Sequence, residues 1–138
     1  MGLIFEKLFP YLLSLAAGLL WWQFELCFPS GEGVLGSSLT IGAILTGFLA
    51  TAKAILMGLD SPIMNRIRKT DYLTDLVSYL SHAIWLSFTF CGISLLGYFI
   101  ITTNSWYGIV WAVIGAAMAG SFIRVTNIML KILNYNGE

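Results

Sequence analysis

The stretch ILTGFLATAKAILMGLDSPIMNRIRKTD (residues 44–71) joins an apolar run, rich in glycine and alanine, to a basic cluster. The apolar run contains one ionisable side chain, Lys53. An apolar segment of about 20 residues can cross the ~30 Å hydrocarbon core of a membrane. Lysine and arginine gather on the cytoplasmic side of membrane helices. The stretch therefore predicts a membrane span that ends at a cytoplasmic loop.

Composition extends this prediction to the whole chain of 138 residues. Hydrophobic residues make up 58% and charged residues 10%, against about 45–50% and about 25% in ordinary globular proteins. So few charges could not cover the surface of a soluble domain. We therefore expect an integral membrane protein in which residues 1–138 form a single transmembrane domain.

Four apolar segments are long enough to span a membrane, at residues 8–28, 35–59, 72–101 and 106–130. Helices are expected, because strand-like alternation is absent and an open sheet cannot satisfy its backbone in lipid. The links between the segments are short, which favours antiparallel packing of sequential helices. The sequence thus predicts an all-α fold, an up-down four-helix transmembrane bundle.

The positions of the basic residues predict the orientation of this bundle. Lysine and arginine near span ends mark the cytoplasmic side, and here they lie at both termini and in the middle loop: Lys7, Arg66, Arg68, Lys69 and Lys131. The other two links carry no basic residue. Both termini are therefore expected in the cytoplasm. Trp21, Trp22, Trp106 and Tyr107 are expected at the outer interface, where aromatic residues gather.

The sequence offers little for catalysis. Cys27 and Cys91 are too few for a disulfide framework. No CxxC or Cys/His cluster suggests a metal site, and His82 is the single histidine. Asp71 and Asp75 share a helix face, but their position favours a helix start, where carboxylates stabilise the positive end of the helix dipole. No phosphate-binding glycine motif is present. We expect a protein that is not an enzyme and has no catalytic residue, metal or cofactor.

Small residues recur at helical spacing in two of the predicted spans. Gly108, Ala112, Ala116 and Gly120 follow one another every four residues, and the second span carries Gly42 and Gly47. Such ridges let helices approach closely in lipid. Packing within one chain is one explanation. The number of ridges favours contacts between subunits as well, and so a homo-oligomer.

Lys53 and Arg124 lie at a similar depth near the cytoplasmic end of the bundle, and Asp75 opens the third span nearby. Charges inside a membrane are costly, so they tend to be functional or to reach the interface. One hypothesis is a polar network that lines a cytoplasmic vestibule. The other is a set of separate side chains that extend to the interface. His82 is a further candidate, for packing or for ion sensing.

Charged groups outside the spans suggest two further sites. Glu25 and Glu32 lie near the outer side and would form an acidic mouth if the subunits make a ring. Arg66, Arg68 and Lys69 would contact a cytoplasmic regulatory protein, another anionic ligand or the lipid headgroups.

The line SSLTIGAILTGFLATAKAILMGLDSP (residues 37–62), followed by YLTDLVSYLSHAIWLSF (72–88), resembles the second and third spans of small bacterial membrane proteins encoded in anti-phage defence operons. The resemblance covers about half of the chain and carries no catalytic motif. It implies an effector or sensor subunit that permeabilises or depolarises the inner membrane when a partner signals infection. Our prediction is an oligomeric channel or pore. The alternatives are a non-conducting structural or anchoring subunit and a holin-like lysis protein.

Overall fold

The structure, a computed structural model, describes residues 2–25, 28, 32–58, 71–100 and 105–135; side chains are described for 8–25, 28, 33–58, 74–100 and 106–131. These residues form four helices: α1 (Gly2–Gln23), α2 (Glu32–Gly58), α3 (Asp71–Leu96) and α4 (Ser105–Tyr135). The all-helical prediction is confirmed for this part of the chain. The bounds differ by several residues, since α1 begins and ends earlier than expected and α4 continues further.

Local backbone geometry explains where two of the helices end. Phe24 closes the last turn of α1 through its bond to the Leu20 carbonyl at 3.0 Å, and Glu25 then takes a left-handed φ of 42°. A non-glycine residue in that region cannot continue a right-handed helix. After α3, Gly97 donates to Ile93 at 3.1 Å and Ile100 to Leu96 at 3.0 Å, which closes the last turn.

The helices pack in the order α2, α3, α4, α1, and each runs antiparallel to the next. Contacts between α2 and α3 join Gly42 to Cys91 and Lys53 to Ser81, so that rising numbers on one helix meet falling numbers on the other. The other two pairs show the same reversal. The alternating direction agrees with the sequence prediction.

One predicted neighbour pair differs. The short link between α1 and α2 led us to expect these helices to pack side by side, but among the described residues they make no extended contact. α1 packs along α4 instead, because α4 presents glycines that the bulky side chains of α1 can cover. As a result α1 and α2 lie at the two edges of the row, and α3 and α4 lie between them.

The two ends of the molecule are packed differently. Towards the end that holds Lys53, the core consists of aliphatic side chains from α2, α3 and α4: Leu49, Leu76, Leu80, Ala83 and Val125. Towards the other end the core is aromatic, and the ring of Trp111 lies 5.4–6.2 Å from those of Phe28, Phe90 and Trp21. Tyr107 joins this cluster and donates to the Ile93 carbonyl at 2.8 Å.

The aromatic cluster changes part of the interface prediction. Trp22 and Trp106 are exposed by 70% and 57%, as expected for residues that meet lipid headgroups. Trp21 and Tyr107 instead pack inside the chain, where their rings fill space beside glycines.

Three helical segments are long and apolar enough to cross a membrane: Gly33–Gly58, Thr74–Leu96 and Trp106–Lys131. The described apolar part of α1, Leu8–Gln23, is shorter. Hydroxyl side chains within these helices, including Ser38, Thr46, Ser87 and Thr89, donate to the carbonyl four residues earlier at 2.7–2.9 Å. Such bonds satisfy a hydroxyl without water, which suits an apolar surrounding.

Candidate intramembrane polar site

Lys53 is held by α3. It lies on the face of α2 that packs against α3, and its Nζ donates to Ser81 Oγ at 2.7 Å. Ser81 Oγ donates in turn to the Val77 carbonyl at 2.9 Å. The lysine head group is thus hydrogen-bonded between two helices and lies about level with its own Cα. It does not extend along its helix to the cytoplasmic end, as a separate interfacial anchor would.

Arg124 is held by the same part of α3, from the other side. Its Cζ lies 3.4 Å from the centroid of the Tyr79 ring, a cation–π contact. The Nε and Nη2 atoms of the guanidinium are buried without a hydrogen-bond partner, and so is the Tyr79 hydroxyl. Nε and Nη2 form one edge of the guanidinium, the edge that pairs with two oxygens of a carboxylate. No described carboxylate is bonded to that edge.

His82 occupies the outer face of this turn of α3. Its Nδ1 lies 3.1 Å from the Ser78 carbonyl, which can only accept a hydrogen bond, so Nδ1 carries a proton in this contact. His82 is exposed, and it lies roughly 12 Å along the helix from the start of the Thr74–Leu96 segment by helical rise. If this segment crosses a membrane, that depth corresponds to the hydrocarbon region.

Lys53, Arg124 and His82 meet at one turn of α3. They do not form the hypothesised polar network with Asp75. At 100° per residue, Ser81 lies on one side of His82 and Tyr79 on the other. Lys53 and Arg124 therefore flank His82 on α3. Asp75 is exposed about two turns from His82, and among the described residues no hydrogen bond joins it to Lys53 or Arg124. The structure brings together Lys53, Arg124 and His82 and leaves Asp75 apart.

A row of exposed side chains, polar except for Trp85, follows the outer face of α3 to both sides of this turn. Its members are spaced by three or four residues and all are exposed; we call Asp75, Ser78, His82, Trp85 and Thr89 the α3 stripe. It extends for roughly 21 Å by helical rise. The opposite face of α3 carries the buried residues Leu76, Leu80, Ala83 and Ser87. Sequence reasoning found His82 and Asp75 singly, although their spacing with Ser78 and Thr89 already places them on one face.

The small residues divide into enclosed and open positions. Gly42 lies against Cys91 and Phe90 of α3, Gly108 against Trp21, and Gly120 against Pro10. Ala112 and Ala116 are half-buried on α4. Gly47 has no atom within 4 Å of the position that a Cβ would take. Of the glycines predicted to join subunits, Gly42, Gly108 and Gly120 thus pack helices of one chain, and Gly47 is open.

Several predicted site residues lie outside the described part of the chain. The basic loop with Arg66, Arg68 and Lys69 is not described, nor is the side chain of Glu32, which begins α2. Glu25 is exposed at the end of α1, on the side away from Lys53. An acidic outer mouth and a regulatory contact at the basic loop stay predictions.

Among the described residues, no three histidine, cysteine, aspartate or glutamate side chains gather as metal ligands would. Comparisons with protein families, with curated proteins and with solved structures find no match to this chain. The functional argument therefore depends on the geometry around α3.

Proposed function

We propose that the protein is a multi-pass membrane protein that assembles as a homo-oligomer, with the α3 stripe facing a shared aqueous pathway for ions. The observation that carries this proposal is the exposure of His82 and Asp75 on the outer face of α3. Ionisable side chains on a lipid-facing surface are costly, and in membrane proteins they face water or another protein surface. A water-filled pathway along α3 would hydrate these side chains.

The pathway is placed between chains because the interior of one chain is filled. Leu49, Leu76, Leu80 and Val125 meet at the core with at most 2% of their surfaces exposed. The side chains of the α3 stripe point away from that core. Several copies arranged around an axis would bring their α3 stripes together and line a channel with them.

The face of α2 opposite α3 offers a surface for the contact between copies. One row of exposed residues on this face follows alternating steps of four and three, beside the exposed side chains of Ile41, Phe48 and Ile55; we call this row the α2 seam, and its members are Gly33, Ser37, Thr40, Ile44, Gly47, Thr51, Ala54 and Gly58. This spacing is that of helices in left-handed coiled coils, and small or hydroxyl residues are typical of helix contacts in membranes. We choose a second copy of the chain as the partner of this surface, because the same assembly would shield the α3 stripe from lipid.

The proposal includes four passes and an orientation. α1 has 22 residues, or about 33 Å of helix, of which the described apolar part is Leu8–Gln23; a fourth pass through α1 is part of the proposal. With both termini and the basic loop in the cytoplasm, Lys53, Arg124 and His82 lie in the inner half of a bacterial inner membrane. A role in depolarising that membrane during phage infection, under a partner's control, is the biological setting that the sequence resemblance implies.

Cysteine accessibility tests this proposal directly. In a chain with Cys27 and Cys91 replaced by alanine, single cysteines at Ser78, His82 and Thr89 would be treated in membranes with a water-soluble thiol reagent. Leu15 and Leu19 of α1, exposed by 63% and 52%, provide matched controls on a surface that faces lipid. Only a thiolate reacts, and a thiol in lipid does not ionise, so the stripe should react on the order of tenfold faster.

Equal, slow reaction at the stripe and at the control positions would show that α3 faces lipid or a dry contact, and the pathway would be wrong. Purified protein in vesicles gives a second measurement, the decay of an imposed membrane potential. An assembled oligomer that leaves this potential intact even though its stripe is accessible would favour the structural subunit over the channel.

A further inference from the structure

We infer that the pathway along the α3 stripe selects small inorganic anions over cations, since Lys53 and Arg124 place two positive charges on either side of its His82 turn. This inference rests on the proposed function, because it concerns what the pathway conducts. It assigns the two cations a role that neither interfacial anchoring nor helix packing requires.

The first support is the position of the two charges relative to the stripe. Lys53 reaches α3 at Ser81 and Arg124 reaches it at Tyr79, and these residues border His82 on its two sides. Neighbouring helices lie about 8–10 Å apart, so both charges are within about 10 Å of the stripe at the same depth. In an oligomer, every copy would contribute its pair, and the charges would form a ring around the axis.

The second support is that none of the carboxylates described by the structure lies at this depth. The described charged side chains besides these two are Glu25, Asp75 and Lys131. Glu25 lies at the opposite end of the molecule, and Asp75 lies roughly 10 Å nearer the cytoplasmic end of α3. Lys53 is bonded to a neutral hydroxyl and Arg124 to a neutral ring. Neither contact cancels the charge, so two positive charges border the His82 turn, against one described carboxylate on the stripe, that of Asp75.

The third support is that the protein keeps these two charges partly buried although burying them is energetically unfavourable. A guanidinium with two buried, unpaired nitrogens is unfavourable in an apolar surrounding. A lysine or arginine used only as an anchor would extend to the headgroups instead. Rings of basic side chains are a known means of selecting anions in pores, and a positive charge held away from water acts more strongly on a passing ion.

The expected size of the effect follows from Coulomb's law. One unit charge about 10 Å from the ion, at the effective dielectric constant of about 20 that suits protein sites, favours an anion by roughly tenfold and disfavours a cation by roughly tenfold, so it changes the ratio of anion to cation permeability on the order of a hundredfold. Removing both charges should therefore abolish or reverse the preference.

The test is the reversal potential of the purified oligomer in a planar bilayer under a gradient of potassium chloride. The wild-type protein should reverse near the chloride equilibrium potential. Lys53→Gln keeps a hydrogen-bonding group opposite Ser81 and removes the charge, so it should lower the permeability ratio on the order of a hundredfold. Arg124→Gln should act similarly, and Arg124→Lys, which keeps the charge, should restore most of the selectivity.

Lys131→Gln is the matched control, since it removes one positive charge from the exposed end of α4, where salt screens charges. Its reversal potential should stay close to that of the wild type. A wild-type current that prefers potassium, or a preference for chloride that neither charge removal changes, overturns the inference and leaves the proposed channel standing. An assembled wild-type protein that carries no current overturns both.

Discussion

Two helices of this protein carry similar small residues and have opposite surroundings. On α4, Gly108 lies beneath the ring of Trp21 and Gly120 against the backbone of Pro10, so α1 covers this ridge. On the α2 seam, no atom lies within 4 Å of where a Cβ would stand on Gly47 or Gly58. Small residues at helical spacing thus show that a helix surface can be approached closely, but they do not show which helix approaches it.

The difference arises from the helix that packs against the small residues and not from the small residues themselves. α1 supplies a flat indole and a proline, and both fit a surface without side chains. No helix of the described chain supplies such groups to the outer face of α2, which is an edge helix. In keeping with this position, 11% of the apolar segment of α2 is buried, against 28% in α3 and α4.

The largest loss of stability is expected on α4, where α1 covers the small residues. In Gly120→Leu the new Cβ would stand 2.9 Å from the Pro10 Cα, a backbone atom that cannot move aside, so α1 must separate from α4. Overpacking of this kind costs about 3 kcal/mol. The free energy of unfolding in mixed micelles, followed by tryptophan fluorescence, measures it. Gly47→Leu makes the same substitution at an open site and should unfold as the wild type does; equal losses in the two variants would contradict the comparison.

An intermediate effect is expected on assembly. Gly47→Leu should leave the chain folded but raise the dissociation constant of the oligomer by roughly tenfold or more, because a large side chain on the α2 seam holds a second copy away. Mass measurement in mild detergent over a range of concentrations tests this. Leu15→Trp adds bulk to the exposed face of α1 and should have no effect. If Gly47→Leu assembles normally, the seam faces lipid and copies meet elsewhere.

The smallest effect concerns the packed face of α2, where Lys53 meets Ser81. Ser81→Ala leaves the amine of Lys53 without its partner and should destabilise the chain by about 1 kcal/mol, since the pair is only partly buried. Lys53→Met removes the amine as well as the bond and should cost less than about 1 kcal/mol. The double variant should then resemble Lys53→Met, because the two residues act as a pair. Additive losses in the three unfolding energies would show that the 2.7 Å contact contributes nothing.

Much of the fold could be predicted from the sequence because it depends on local properties. Apolar length and low charge predict helices that can cross a membrane, and the positions of the helices were found to within a few residues. The ends were harder to predict. α1 stops at a left-handed Glu25, which is not a residue that usually marks such a turn.

The candidate site was predictable only in part. Lys53, Arg124 and His82 are conspicuous as ionisable residues in apolar segments, and the α3 stripe follows from spacing once it is looked for. That Lys53 binds Ser81 and Arg124 covers Tyr79 depends on the angular positions of three helices. Spacing within one helix does not contain that information.

The sequence by itself determined that this is a helical protein with segments suited to a membrane, because burial in lipid is a property of each segment separately. It also determined which residues are small and which are charged. Only the tertiary structure decided that α1 packs on α4 and not on α2, and so which glycines are covered. It also placed the two cations on either side of one turn of α3, because the relative rotation of packed helices is set by the fit of their surfaces. Lys53, the lysine within the apolar run at residues 44–58, therefore binds α3 and lies beside the α3 stripe.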